Sequence, residues 1–393
     1  MLLDFYRSRK SVDDIRNGAR ARLARAGGEG RPNKLIAGDN LDVLRALRDD
    51  PSIAGKIKLV YIDPPFATKT HFRIGVDRVS TISSSKSDAV AYSDTLIDAD
   101  FLNFLYERLV LLRDLMADDA SIYLHIDGKI GHYVKVVMDD VFGRENFRND
   151  IARIKCNPKN FDRKAFGNVK DVIYFYSKTD RPIWNDPRAP LEAADIETRF
   201  NKVDAQGRRY TTIPLHAPGE TKGKTGEPWR GILPPAGRHW RSAPEVLEEL
   251  DRQGLVEWSK NGVPRKRLYA DGGRGRKVQD VWEFKDPQYP SYPTEKNLDM
   301  LKMIVEASSN EGDLVLDCFA GSGTTLVAAQ ALKRNWVGID QSEHAIAAAK
   351  MRLASSDDLR PTSFEIATQT GITDPAAKVG WLPEAWEQFK EAA

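Results

Sequence analysis

The sequence predicts an α/β fold with a mixed, mostly parallel sheet and helices on both of its faces. Two apolar runs, 59–62 and 314–316, have the length of buried strands, and each ends in a loop of small or rigid residues. Other apolar runs alternate with stretches of helical period, which is typical of βα units. Because ligands bind where the strands of such sheets end, we expect the functional site at these two loops.

The first half of the chain supplies most of the predicted elements. The predicted strands are 34–37, 59–62 and 121–126, and the predicted helices are 41–47, 101–116 and 131–141. Strands over 151–155 and 171–176 should complete the sheet as an antiparallel edge, because a turn-forming segment separates them. Residues 68–92 are rich in Ser and have no helical period, so they are predicted to form a loop over the site.

The segment Asp63-Pro64-Pro65-Phe66 follows the first apolar run. Two prolines fix the backbone and remove two N–H donors, so the Asp63 carboxylate and the Pro64 carbonyl form an acceptor-only site. Such a site suits the exocyclic amine of adenine or cytosine, whose lone pair would then face an electrophilic methyl group. Phe66 would stack on the base. A Pro-Pro turn that merely closes a strand remains an alternative for the tetrapeptide alone.

The second apolar run ends in Asp317 and leads into a Gly-Ser-Gly turn at 321–323. The following elements are a helix over 325–332 and a strand over 336–339 that ends in Asp340. An acidic residue at that place accepts hydrogen bonds from ribose hydroxyls, and Asp317 suits a ligand amino group. No third glycine follows the turn, which disfavours a pyrophosphate. The pattern predicts S-adenosylmethionine rather than NAD, although a turn without a ligand would also explain the glycines.

With these two segments, the chain resembles the β class of amino-methylating DNA methyltransferases, which includes type III modification subunits and many adenine methyltransferases. Segments 36–40, 141–147 and 292–297 also carry the resemblance. The catalytic segment precedes the cofactor segment, which is the circularly permuted motif order of that class. The resemblance implies a Rossmann-like S-adenosylmethionine-dependent methyltransferase fold with an inserted target-recognition region.

The resemblance also assigns site residues. The implied catalytic residues are Asp63, Pro64, Pro65 and Phe66. The implied cofactor-binding residues are Asp39, Asn40, Lys296, Asp317, Phe319, Gly321, Gly323, Thr324, Thr325 and Asp340. In that class, the residue matching Asp39 lies near the cofactor's adenine, and the residue matching Lys296 lies near its carboxylate. Cys318 and Asn297 replace the usual prolines and Asp340 the more frequent glutamate, and none of these changes removes a group that the mechanism needs.

An aspartate at the first catalytic position is more usual for adenine than for cytosine in the resembled class. We therefore predict methyl transfer from S-adenosylmethionine to the N6 amine of a flipped-out adenine in duplex DNA. A cytosine N4 enzyme of the same class is the alternative. Two further hypotheses are a DNA-binding module without turnover and a nicotinamide-dependent oxidoreductase, which would give the segment from Asp63 to Phe66 no role.

The region between the two motif halves is rich in basic and aromatic residues. The predicted DNA-binding residues are Arg230, Arg238, Arg241, Lys266, Arg267 and Arg274. The aromatic residues expected to replace a lost stacking neighbour are Tyr210, Trp229, Trp240, Trp258 and Tyr269. A solvated face over a small Trp-containing core would explain the same composition.

The predicted domains are a basic N-terminal segment (1–33), a catalytic half (34–185), a target-recognition region (186–285), a cofactor half (286–355) and a helical tail (356–393). The basic start either contacts phosphates or is solvated.

The 393 residues carry a net charge of +2 and only two cysteines, and no apolar stretch is long enough to span a membrane. We therefore expect a cytoplasmic protein with no metal, no disulfide and no membrane contact. His125 is expected to be structural. Besides duplex DNA, a second copy of the chain and a cognate restriction endonuclease are candidate partners.

Overall fold

The computed structural model describes residues 1–25, 32–65, 98–158, 162, 164–272, 275–288, 295–355 and 364–373, together with the backbone of 70–74 and 89–94. The chain forms two units. Unit 1 comprises Met1–Pro187 and Gln279–Ala393, and unit 2 comprises Arg188–Val278. Unit 2 lies within the predicted target-recognition region. In the described part of the chain, no helix is long and apolar enough to cross a membrane.

Unit 1 contains both predicted motif halves. Its helices are α1 (Leu2–Ser8), α2 (Val12–Arg16), α3 (Asn40–Leu47), α4 (Asp98–Leu115), α5 (Gly128–Phe142), α8 (Leu298–Ser308), α9 (Thr324–Ala331) and α10 (Glu343–Ser355). Its strands are β1 (Arg20–Arg25), β2 (Lys34–Ala37), β3 (Ile57–Ile62), β4 (Thr70–Ile74), β5 (Ala89–Asp94), β6 (Met116–Ile126), β7 (Phe147–Ile154), β8 (Lys170–Ser177), β17 (Val281–Trp282), β18 (Leu314–Asp317), β19 (Asn335–Asp340) and β20 (Glu365–Thr373).

A ten-stranded sheet lies at the centre of unit 1, in the order β1-β20-β2-β19-β18-β3-β6-β8-β7-β17. All strands from β20 to β6 in this order run parallel. Strand β8 is antiparallel to both β6 and β7, and β1 is antiparallel to β20. The mixed, mostly parallel sheet confirms the predicted fold class.

The two motif strands β3 and β18 are neighbours, with Leu316 opposite Val60. From β3 the chain crosses to β6 on one side, whereas from β18 it crosses to β19 on the other. Because such crossovers are right-handed, α4 and α9 lie on opposite faces of the sheet. The carboxyl ends of β3 and β18 therefore form a topological switch point, where open α/β sheets hold their ligands.

Side-chain caps fix where several helices of unit 1 begin. Asp39 accepts hydrogen bonds from the backbone N–H groups of Leu41 and Asp42 at the start of α3. Asn297 caps α8 in the same way by accepting from the N–H of Met300. These caps lie directly beside the predicted cofactor residues, so helix geometry places those side chains.

Two predictions about irregular segments are wrong. Residues 70–74 and 89–94 pair as an antiparallel two-stranded sheet rather than continuing the predicted loop 68–92, whose remainder lies outside the described residues. The described part of the predicted helical tail, Glu365–Thr373, is strand β20, which pairs with β2 and β1. Its β-branched residues at alternate positions, among them Ile366, Thr368 and Thr370, favour a strand.

The basic start of the chain belongs to the fold of unit 1. Arg16 forms a two-bond ion pair with Asp114 of α4, and Arg9 pairs with Asp140. Strand β1 adds Arg20, which pairs with Asp49. These guanidinium groups are therefore engaged within the protein.

Unit 2 is a small β-rich unit with its own core. Its helices are α6 (Ala193–Arg199) and α7 (Pro244–Arg252), and its strands are β9 (Arg188–Ala189), β10 (Lys202–Val203), β11 (Arg209–Pro214), β12 (His216–Pro218), β13 (Arg238–Trp240), β14 (Val256–Trp258), β15 (Pro264–Tyr269) and β16 (Arg276–Lys277). The largest sheet has the order β10-β11-β15-β14. Trp229 and Trp240 pack with Leu215, Leu247 and Val256 in the core.

Candidate functional site

Asp63 lies at the carboxyl end of β3, directly beside the end of β18. Its Oδ2 is 2.5 Å from the Nζ of Lys296, and both side chains are largely buried. Its Oδ1 is buried and accepts no hydrogen bond from any described residue. Pro64 is buried and Pro65 is half-buried, whereas Phe66 lies outside the described residues. The segment therefore presents a carboxylate with one oxygen paired and one oxygen available for a donor.

Lys296 is connected to the Gly-Ser-Gly turn through its neighbour Glu295. The Glu295 carboxylate pairs with the Arg352 guanidinium at 2.9 Å. Arg352, from α10, also donates to the Ser322 hydroxyl (2.7 Å) and to the Thr324 hydroxyl (3.0 Å). One arginine thus holds the turn and the segment that carries Lys296 together.

Asp317 accepts hydrogen bonds from residues on both sides of the turn. Its Oδ1 accepts from the N–H of Phe319 (2.9 Å), and its Oδ2 accepts from the Thr325 hydroxyl (2.6 Å). The pKa of Asp317 is raised to about 7, chiefly by burial and also by the nearby carboxylates of Asp63 and Asp340, against the opposing effect of the two hydrogen bonds. The group therefore gains or loses its proton near neutral pH.

Asp340 lies at the end of β19, next to the same turn. It accepts hydrogen bonds from the backbone N–H of Gly321 (2.8 Å) and of Ser342 (2.9 Å). Burial raises the pKa of Asp340 as well. A methyl group placed on Gly321 would meet no described atom within 4 Å, so the space above this glycine is open to a ligand.

A second corner of the site is formed by Asp39 and Asn40 at the start of α3. Asn40 donates to the carbonyl of Cys318 (2.7 Å) and accepts from the Nε of Arg108 (2.6 Å). The guanidinium carbon of Arg108 lies over the Phe104 ring, 3.5 Å from the ring centroid. The backbone N–H of Asp39 donates to Gln369 of β20 (2.8 Å). Through the bond from Asn40 to Cys318, the segment at the start of α3 is connected to the segment that follows β18.

His125, which was expected to be structural, is buried next to Asp63. Its Nδ1 is 2.9 Å from the Tyr61 hydroxyl and 3.8 Å from Asp63 Oδ1. Its Nε2 is 3.3 Å from Asp171, which also accepts from Lys155 (2.6 Å). Burial lowers the pKa of His125, so the neutral ring is favoured.

The structure brings together Asp63, Lys296, Asp317, Gly321 and Asp340, which the sequence had singled out. It adds Arg108, Arg352 and Gln369, which no motif indicated, and Glu295, which lies in segment 292–297 but had no assigned role. Charged residues on helices and a glutamine on a strand are common on protein surfaces. The sequence therefore does not indicate that these side chains belong to the site.

The predicted DNA-binding residues of unit 2 differ in their surroundings. Arg230 pairs with Glu248 and Asp251 across an intramolecular network, so its charge is already neutralised. Arg267 lies over the Tyr210 ring and 3.8 Å from Glu257. Arg274 lies outside the described residues.

Arg238 and Arg241 lie on or next to β13, and neither forms an ion pair with a described carboxylate. Arg238 Nη1 is 3.3 Å from His216, and Arg241 donates to the carbonyl of Pro214. Arg265, on β15, donates to Thr212. Burial and then the charges of these three arginines lower the pKa of His216. The three guanidinium groups therefore form a positive cluster, which we call the arginine cluster.

Two of the aromatic residues expected to stack on bases cannot do so in this fold. Trp229 and Trp240 are almost fully buried in the core of unit 2. Trp229 stacks on Trp258 with ring centroids 5.2 Å apart. The expectation that Trp229 and Trp240 face DNA is wrong, because the small unit needs them as core.

The chain is similar to known DNA methyltransferases over most of its length. The family model described as DNA methylase, which covers N6 and N4 methyltransferases, matches residues 57–351. The type II methyltransferase M.EcaI of Enterobacter cloacae is 42% identical over 329 residues, which cover 82% of this chain and 70% of the relative. The Mod subunit of the type III restriction-modification enzyme StyLTI of Salmonella typhimurium is 26% identical over 335 residues. That match covers 76% of this chain but only half of the subunit.

Among solved structures, the M1.HpyAVI–SAM complex aligns with 81% of this chain and 98% of its own, at 15% identity and a TM-score of 0.44. The family match extends over most of the chain and includes both motif strands. It confirms the resemblance that the motifs predicted. The chain belongs to the N6/N4 DNA methylase family.

Proposed function

We propose that the protein transfers the methyl group of S-adenosylmethionine to the N6 amine of a flipped-out adenine in duplex DNA. The proposal rests on the surroundings of the Asp63 carboxylate. Its carboxylate lies at the switch point of the sheet, and its buried Oδ1 accepts no hydrogen bond from the described residues. A buried acceptor without a donor is costly, and an amine hydrogen of the substrate would satisfy it.

The chemistry assigned to the protein is orientation of the amine. Asp63 would accept one amine hydrogen and the carbonyl of Pro64 the other, which turns the nitrogen lone pair towards the methyl carbon. When the N–C bond forms, the C–S bond of the sulfonium breaks, and the ammonium proton leaves to Asp63 or to water. Positioning of the reacting atoms in line is the main contribution of the site.

The residues around the turn fit S-adenosylmethionine. Asp39 and Asp340 offer acceptors for hydroxyl and amine donors, and Asp317 offers a carboxyl group for a cationic amino group. Lys296 offers a cation for a carboxylate. The open space above Gly321 leaves room for the ligand. The cofactor supplies an activated methyl group, and the protein residues hold the two charged groups of its amino-acid end.

Adenine is proposed over cytosine because Asp63 stands where the resembled class has aspartate in most adenine enzymes. Both bases carry an exocyclic amine with two hydrogens, so the geometry of Asp63 and Pro64 serves either one. A base inside a duplex has to leave the stack before its amine can reach such a buried carboxylate.

The arginine cluster of Arg238, Arg241 and Arg265 is the proposed DNA contact in unit 2. Three like charges brought together repel one another, and among the described residues no carboxylate forms an ion pair with them, so a phosphate backbone would neutralise them. Lys266 follows Arg265 on β15, so its side chain lies on the opposite face of that sheet, and its contact with DNA stays a prediction apart from the cluster. Arg230 is a weaker candidate, because contact with DNA would compete with its two carboxylate partners.

Relatives bear names of restriction-modification enzymes, and by analogy a cognate endonuclease is a proposed partner. Self-association of the chain stays a prediction as well.

The role of Asp63 is tested with the purified protein, tritiated S-adenosylmethionine and unmethylated plasmid DNA. Asp63→Ala should lower methyl incorporation by a factor of about 10²–10⁴, the range for loss of a positioned catalytic group. The DNA dissociation constant should change little. The matched control is Asp180→Ala, whose side chain is 86% exposed in a turn and should leave transfer unchanged. Undiminished transfer by Asp63→Ala would refute the assignment.

A further inference from the structure

Lys296 and Asp63 form an ion pair at the centre of the site. The distance from Nζ to Oδ2 is 2.5 Å, and the side chains are only 10% and 16% exposed. A charged pair with so little water around it is stronger than an exposed pair, because solvent does not screen it. The catalytic carboxylate is therefore partly occupied by the protein's own lysine.

The same lysine lies next to the ligand-binding turn. Glu295 precedes it in the chain and pairs with Arg352, which binds Ser322 and Thr324 of the turn. The anchor at Glu295 holds the Lys296 backbone near the turn, while the flexible four-carbon side chain can still change direction. A ligand carboxylate over the turn would lie within reach of this ammonium group.

We infer that Lys296 is shared between Asp63 and the amino-acid carboxylate of the cofactor. When the cofactor binds, the ammonium group moves from Asp63 to that carboxylate, so the Asp63 charge is no longer countered by Lys296 and acts fully on the substrate amine. This inference rests on the proposed cofactor and catalytic residue. The exchange replaces one ion pair with another, so no covalent bond is made or broken.

The exchange has a consequence for the order of events. Without cofactor, Asp63 is engaged by Lys296 and binds a base amine poorly, whereas the cofactor-bound site offers a free carboxylate. The cofactor therefore prepares the site for the base. Part of the cofactor's binding energy offsets the loss of the Lys296–Asp63 pair, so removal of the Asp63 charge should tighten cofactor binding.

The test is a double-mutant cycle for binding of S-adenosylhomocysteine, measured by isothermal titration calorimetry on the full-length protein. This probe carries the same amino-acid end but no sulfonium charge. The titrations are run at about pH 8, so that Asp317, with its pKa of about 7, is ionised in every variant. We expect Asp63→Asn to lower the dissociation constant roughly tenfold, the size of one charge-assisted hydrogen bond.

Lys296→Met should weaken binding, and in its background Asp63→Asn should no longer tighten binding. A control ligand, 5′-methylthioadenosine, lacks the carboxylate, so its affinity should not respond to Asp63→Asn. If Lys296→Met binds too weakly to titrate, Lys296→Gln, which also lacks the charge but keeps a hydrogen-bond donor, takes its place in the cycle. Thermal unfolding of each variant verifies that the fold is intact.

Two results would overturn the inference. If Asp63→Asn still tightens binding in the Lys296→Met background, direct repulsion between carboxylates is the cause and no exchange takes place. If Asp63→Asn leaves S-adenosylhomocysteine affinity unchanged, the ion pair does not compete with the cofactor. Failure of the wild type to bind the probe would instead refute the proposed cofactor.

Discussion

Among single residues, Asp317 connects burial most directly to ligand binding. Its carboxyl group has a raised pKa of about 7 because it is buried near two other carboxylates. Below this pKa the neutral form is favoured in the empty site, whereas a cationic amino group of the ligand favours the ionised form. Ligand binding should therefore release a proton from this group when the pH lies below its pKa.

From this linkage we predict that S-adenosylhomocysteine binds more weakly as the pH falls below about 7, by up to tenfold for each pH unit. Asp340 has a raised pKa too and adds a slope of the same sign. Asp317→Asn isolates the first contribution, because it should flatten the profile measured by calorimetry between about pH 5.5 and 8. A wild-type affinity that does not change over this interval contradicts the assignment.

Backbone conformation at the turn leads to a second prediction. Gly323 has φ of +78°, and a Cβ there would lie 3.0 Å from the Cβ of Ala349. Gly321 also has a positive φ, +51°, but open space around it. Gly323→Ala should lower the free energy of unfolding by about 2–4 kcal/mol, from left-handed strain plus overpacking.

Gly321→Ala is the matched variant and should lose only the strain, about 1–2 kcal/mol. Urea unfolding followed by circular dichroism measures both values. Equal losses would show that the approach of α10 to the turn does not matter.

At the scale of whole elements, the spacing of apolar residues predicts the regular strands and helices. It fails for segments whose conformation depends on pairing with distant strands. Strands β3 and β18 and helices α3 and α4 were predicted because their apolar residues follow a clear pattern. Strand β20 was not, because its Thr and Gln residues give no apolar pattern; its β-branched residues favour a strand, and pairing with β1 and β2 stabilises it. Residue propensity alone could not show that β20 lies between β1 and β2 in the large sheet.

Helix α10 supplies the prediction at this scale. Arg352 holds Ser322, Thr324 and Glu295, so Arg352→Met should loosen the turn and the Lys296 segment together. We expect the dissociation constant for S-adenosylhomocysteine to rise roughly tenfold, while DNA affinity stays the same. The control is Lys350→Met, an exposed residue of the same helix. An equal effect of both variants in calorimetry would point to general damage to α10.

At the scale of the whole molecule, the two halves of the site come from segments about 250 residues apart in the chain, which the sheet order brings together. The permuted order of the motifs could be predicted, because each motif ends a recognisable strand. The partners of individual charges could not, since Arg230 and Arg238 look alike in sequence and differ only in whether a carboxylate lies beside them. Long-range packing determines that difference.

The arginine cluster therefore yields a prediction for DNA binding. Arg238→Ala, Arg241→Ala and Arg265→Ala should each weaken binding to duplexes of any sequence and reduce the slope of log K against log salt concentration by about 1. Arg252→Ala removes an exposed arginine on α7 that pairs with Glu249, and it should leave the slope unchanged. Fluorescence anisotropy at several salt concentrations measures the slopes. Unaltered slopes in all three variants would place the DNA contact elsewhere.

The central claim is methyl transfer to an exocyclic amine of DNA. The most direct measurement is to incubate the protein with deuterium-labelled S-adenosylmethionine and unmethylated plasmid DNA, digest the DNA to nucleosides and identify the labelled product by mass spectrometry. The account predicts labelled N6-methyldeoxyadenosine from the wild type and none from Asp63→Ala. Labelled N4-methyldeoxycytidine would keep the chemistry and refute the base, and no labelled nucleoside from DNA would contradict the claim.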